Sequence, residues 1–218
     1  MRSVTNQEKE QLCLLLSCLF SPPDQEMVEG IRQGTFDAFL QKKVHSWGGD
    51  SGLLNGFLME GDPGIFLKDL GEEYGRLFSE LSQEGVSLVE SFYKPWTLDP
   101  RCTLPFASER GHLMGDSALH LLEIFRQCGL EVADERRGTP DHLVLELEFL
   151  STLYRCATDL EVKQFIKDHL DWIPLLKEEM ERFHPHPFYS NVLEVLSLFL
   201  GKERKRLEEK GNGEKAIH

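Results

Sequence analysis

Along the whole of this 218-residue chain, apolar side chains recur three and four residues apart, and no stretch alternates long enough to make a sheet. That spacing predicts about eight to ten helices and essentially no strands. Thr5-Asn6-Gln7-Glu8 reads as a capping box, with Leu12, Leu15, Leu16 and Leu19 on one helical face and Ser21-Pro22-Pro23 as the stop. Helices are expected from Pro22 or Asp24 to Arg32, from a Thr35 cap to Gly48-Gly49, and more weakly over Leu53–Met59. Pro63 opens another, carrying Phe66, Leu70, Tyr74, Leu77 and Phe78, with Gly71 and Gly75 read as points of close helix packing. Ser79 to Pro105 is a long loop, of a length that in compact domains is more often functional than idle. Asp116 is expected to cap the next helix and Gly129 to end it in the left-handed conformation, with Leu130 folding back near Phe125. Further helices start at Thr158 or Asp159 and at an Asp171 cap, and His184-Pro185-His186-Pro187 precedes an apolar one over Tyr189–Leu200.

The fold class is therefore all-α, a single globular multi-helix bundle. Residues 1–204 form the domain, and 205–218 are a charged tail expected to fray after Gly211. A net charge of −13 argues against nucleic acid as a partner and favours a basic or arginine-bearing one. Five cysteines, with no Cys-x-x-Cys, suit reduced and buried thiols in a cytoplasm. No run is apolar enough for stable insertion in a membrane. Leu15-Leu16-Ser17-Cys18 mimics a lipoprotein cleavage site, but Glu8 and Glu10 stand where an export signal wants basic residues.

Gly138 to Tyr154 is the most informative stretch. Thr139 is read as an N-cap, Pro140 as the first helical residue and Asp141 as a first-turn acid. His142 and Glu146, four apart, share a face, so Asp141, His142 and Glu146 are expected as a charged rim at the mouth of an apolar helix. A metal is the chemical alternative, with His142 and Glu146 joined by His169 or the His184/His186 pair; a zinc site needs three or four such ligands. No phosphate loop, Gly-x-Gly-x-x-Gly, His-Glu-x-x-His or Gly-x-Ser-x-Gly is present, which argues against the common nucleotide enzymes and hydrolases.

Pro140-Asp141-His142-Leu143-x-x-Glu146-Leu147-x-Phe149 resembles the signature of the TorD/DmsD/NarJ family of molybdoenzyme maturation chaperones. Tyr74-Gly75-Arg76-Leu77-Phe78, Glu90-Ser91-Phe92-Tyr93, Gly115-Asp116-Ser117 and Phe165-x-x-x-His169-x-x-Trp172-x-Pro174 resemble further family segments, in order, between Tyr74 and Pro174. The resemblance implies a TorD-like bundle in the cytoplasm, with no catalysis and no resident cofactor. It would hold an apo-molybdoenzyme subunit by its twin-arginine leader, as a monomer or a domain-swapped dimer. Guanidiniums pair well with carboxylates, so Asp141, Glu146 and Glu90 are the candidate arginine partners. Tyr74, Leu77, Phe78, Phe92 and Tyr93 are candidates for a greasy groove, with Ser91, His142 and Gly115 beside them. The alternatives are an enzyme using a metal or nucleotide at His142/Glu146, and a general helical adaptor for peptides.

Overall fold

The computed structural model describes residues 4–57, 61–78 and 85–215. The start of the long loop and the end of the helical piece reaching Met59 lie outside the described residues. Among those described there are nine α-helices, three short 3-10 segments and a single isolated bridge in place of any sheet. The helices are α1 (Asn6–Leu19), α2 (Gln25–Arg32), α3 (Thr35–Ser46), α4 (Pro63–Phe78), α5 (Asp116–Gln127), α6 (Leu143–Cys156), α7 (Asp159–His169), α8 (Ile173–Glu181) and α9 (Pro187–Lys215). No helix of the described residues is long and apolar enough to cross a membrane.

The helix α6 is the central strut. Leu143, Leu147 and Leu150 have no exposed surface, and its partner along most of its length is α1, where Leu12, Leu16 and Leu19 are equally buried. Each such leucine contributes about 1.5–3 kcal/mol by leaving water. The other side of the bundle is aromatic. Tyr74, Phe78 and Tyr189 meet ring to ring, and Phe188 links Tyr189 to Phe57. The Tyr189 hydroxyl donates to the carbonyl of Leu70 at 3.0 Å, so α9 is tied to α4 by a satisfied buried phenol.

Local signals set most of the helix ends. Thr5 makes the expected capping box with Glu8, Asp24 caps α2, and Thr158 and Glu161 form a second capping box at α7. Gly129 sits at φ 69° and the Leu130 N–H returns to the Phe125 carbonyl. Several expectations are corrected. Gly34, not Thr35, is the residue before α3, and Gly115 rather than Asp116 precedes α5. Asp171 does not cap α8, because its carboxylate is engaged by Lys94. Among the described residues, nothing outside α4 lies within 4 Å of a Cβ at Gly75, so that glycine is not a point of close packing against them. Cys128 and Cys156 are exposed rather than buried.

The helix α9 continues through Lys215, past the glycine at which fraying is expected. The turns at Glu203–Leu207 dock on the bundle. Leu207 is buried, Arg206 pairs with Asp159 of α7, and Glu203 accepts from Lys9 of α1 at 2.9 Å and from the Tyr154 hydroxyl at 3.1 Å.

Candidate functional site

The start of α6 differs from its sequence signal in a way that decides the site. Thr139 and Pro140 do not begin the helix; His142 is the N-cap, and its Nδ1 accepts from the Val144 N–H at 3.2 Å. Residues 139–142 are instead pinned to the loop before them. Val89 and His142 form an antiparallel bridge, with Glu90 N–H donating to the Asp141 carbonyl at 2.9 Å and Leu143 N–H to the Leu88 carbonyl at 2.8 Å. That pairing pulls the chain out of helical geometry until residue 143.

Asp141, His142 and Glu146 are consequently not a charged rim. Asp141 and Glu146 have no exposed surface, and neither does Glu90. Asp141 Oδ2 accepts from the Ser91 N–H at 2.8 Å and from the Ser91 hydroxyl. Glu146 Oε2 accepts from the Trp172 indole N–H at 3.2 Å. Glu90 Oε2 meets His169 Nδ1 at 3.0 Å, and His169 Nε2 meets His120 Nδ1 of α5 at 2.9 Å. Lys94 Nζ lies 2.6 Å from Glu90 Oε1, as an ion pair at an angle that leaves this oxygen without an aligned donor. Glu146 Oε1 also lacks one.

Carboxylates packed this closely cannot all be charged. Burial, then the neighbouring Glu90 and Asp141, push Glu146 well above the ordinary carboxylate range. Burial also pushes Glu90 up, but the His169 hydrogen bond and charge and the Lys94 ammonium outweigh it, and its net displacement is downward. A protonated Glu146 would donate to Glu90 and ease this crowding, while Asp141 Oδ1 also has no donor among the described residues. Burial raises Asp141 against the opposing Ser91 bonds. Burial and the Arg136 charge drop His142 to about 3, which leaves its Nδ1 free to accept and puts its proton on Nε2.

Glu90, Glu146 and His169 bring one ligand atom each within 4.8 Å of one another, so His169 does join Glu146 in a possible metal-ligand trio, with Glu90 in place of His142. His184 and His186 are not part of it. Lys94 Nζ already stands against Glu90, so a cationic group of the chain itself occupies this side of the trio.

In front of this node lies a cavity of about 670 Å³. Tyr74, Phe78, Phe92, Tyr93, Leu113 and Leu175 supply its apolar wall, and residues 85–89 run along one side. His142 also borders it. The cavity therefore joins the loop and the start of α6. Of the remaining sequence candidates, Asp141, Ser91, Glu90 and Glu146 stand behind the wall, and Leu77 is fully buried core. Gly115 lies at the base of the 93–115 loop, where a Cβ would come 2.6 Å from the Trp96 carbonyl oxygen. Beside it, Asp116 accepts from the Thr97 hydroxyl at 2.8 Å and the Leu98 N–H at 3.0 Å, which anchors the loop to α5.

Sequence reasoning did not single out Arg110, Arg136, Glu178, Glu179 and Arg182, which also line the cavity. Charged residues on the outer face of α8 read as an ordinary solvated surface, and nothing local marks them.

The family model described as "Nitrate reductase delta subunit" matches residues 65–184, from early α4 to the end of α8. The chain belongs to the nitrate reductase delta subunit family. The matched span contains every part of the buried node and all of the cavity lining. Chaperones of the TorD type are similar to about half of the chain. The chaperone protein TorD of Vibrio cholerae is 27% identical over 126 residues, covering 51% of this chain and 57% of the relative. The chaperone protein TorD of Vibrio parahaemolyticus is 30% identical over 112 residues, covering 44% and 52%. The chain thus spans a little over half the length of the curated relatives it matches. A crystal structure described as a candidate redox enzyme maturation protein from Archaeoglobus fulgidus superposes with a TM-score of 0.51 at 23% identity. It covers 92% of this chain and 93% of that one, and shares the all-helical fold.

Proposed function

We propose that this protein is a maturation chaperone for a molybdenum-cofactor oxidoreductase, binding the twin-arginine leader of the apo-subunit in the cavity between residues 85–93 and α8. It acts by holding, without bond chemistry, and so belongs in the cytoplasm, before export of the client. The observation that carries this reading is the joining of three family segments around one cavity: the loop at 90–93, the start of α6 and the aromatic face of α4. A leader offers guanidiniums followed by an apolar run, and such a run fits a wall of Tyr74, Phe78, Phe92 and Leu175. The buried carboxyl node supports the reading indirectly. Asp141 and Glu146 hold the cavity's back wall in place rather than meeting the leader. Calorimetric titration of a synthetic twin-arginine leader tests this. Saturable binding that a scrambled leader lacks is expected, and no binding by either at millimolar peptide refutes it.

A further inference from the structure

Resting on that reading of the cavity, we propose that Glu178 and Glu179 of α8 are the carboxylates that read the leader's paired arginines. The acids that first suggest themselves are unavailable. Glu90, Asp141 and Glu146 are wholly buried and face one another, so a guanidinium reaches them only by unfolding the loop. Glu178 and Glu179 are acids on the wall of the cavity itself.

Glu178 already carries a guanidinium. Arg182, one turn along α8, donates to it at 3.0 Å, with both side chains about two-thirds exposed. Exposed pairs of this kind are weak and readily exchanged. Arg182 thus holds the place of an incoming arginine, which would displace it. Glu179 is half-buried beside the Tyr93 hydroxyl, where desolvation strengthens a charge-assisted bond.

A second observation points to a ligand in the same cavity. His142 is 6% exposed, its Nδ1 is taken by Val144, and its Nε2–H meets no hydrogen-bond partner among the described residues. It borders the cavity. A neutral imidazole N–H of that kind suits the backbone carbonyl of an extended peptide. Arg136 and Arg110 border the cavity as well and would repel arginine. Arg136 acts on both Tyr74 and His142. The arginine pair therefore sits against α8, and the apolar run that follows lies toward Tyr74 and Phe78.

The test is a double-mutant comparison. Leaders carrying Arg-Arg or Gln-Gln are titrated into wild type, Glu178→Gln/Glu179→Gln and Arg182→Gln, with unfolding curves confirming that each variant folds. The double variant is expected to lose about tenfold for the Arg-Arg leader and nothing for the Gln-Gln leader. Arg182→Gln is expected to bind the Arg-Arg leader about twofold tighter, since Glu178 is released. Unchanged Arg-Arg binding to the double variant overturns the proposal while leaving the leader site standing. Equal losses for both leaders also overturn it, because the acids would then shape the groove without reading charge. No binding of either leader to wild type overturns the underlying reading instead.

Discussion

Glu146→Gln should make this protein more stable at neutral pH, by an amount that grows with pH. In the folded chain Glu146 is wholly buried and held well above the ordinary carboxylate range by burial and by Glu90 and Asp141. In the unfolded chain it ionises above about pH 4.5, so over the window between those two values the folded state binds the extra proton. Stability of the wild type therefore falls by about 1.4 kcal/mol per pH unit through that window from this group alone. Glutamine keeps the shape, can donate to Glu90 and can accept from the Trp172 indole, yet does not titrate. Groups outside the buried node titrate alike in both proteins and cancel in the difference, whereas Glu90 and Asp141 interact with Glu146 and shift with it. Inside that window the gap between variant and wild type should widen by about 1.4 kcal/mol per pH unit. With a urea m value of about 2 kcal/mol/M, each pH unit is roughly 0.7 M in midpoint. Urea unfolding followed by circular dichroism at several pH values measures it. A gap that stays constant with pH would mean that Glu146 is ionised in the fold, and the proton shared with Glu90 would be refuted.

Asp141→Ala should cost about 2–3 kcal/mol in thermal unfolding, since it orphans both the buried Ser91 N–H and its hydroxyl. Leader binding should weaken with it, because the 88–91 strap loosens. His142 is depressed to about 3 in the fold, so its contribution to stability is present above pH 6.5 and is lost as pH falls from there. His142→Asn should flatten that acid limb, and an unchanged limb by urea titration counts against a neutral His142. Gly115→Ala should lose about 1–3 kcal/mol, because a methyl 2.6 Å from the Trp96 carbonyl forces the loop away from α5. Lys9→Met should cost less than about 3 kcal/mol by chemical denaturation, because Arg206 still pairs with Glu203.

The bundle was legible because its signals are local. Thr5 with Glu8, Asp24 and Gly129 each settle a helix end within a few residues of chain. The site was less so, because its geometry comes from contacts far apart in sequence. Thr139-Pro140 is a sound helix-start signal, yet the Val89 bridge overrides it and hands the cap to His142. Asp141 and Glu146 read as a rim because carboxylates seldom bury. Their burial depends on Ser91, 50 residues from Asp141, and on Trp172, 26 residues from Glu146. The family segments did mark these residues, but as a pattern that says nothing of which ones face a cavity. The helix α8 shows the converse: Glu178 and Glu179 carry no motif and are placed on the wall only by tertiary packing.

Hydrogen exchange, read residue by residue with and without a twin-arginine leader, tests the central claim most directly. Slowed exchange confined to residues 85–93, the start of α6 and α8 is the outcome predicted for a leader lying in the cavity. Protection mapping instead to the α1 and α9 faces, with those three segments unchanged, would contradict it.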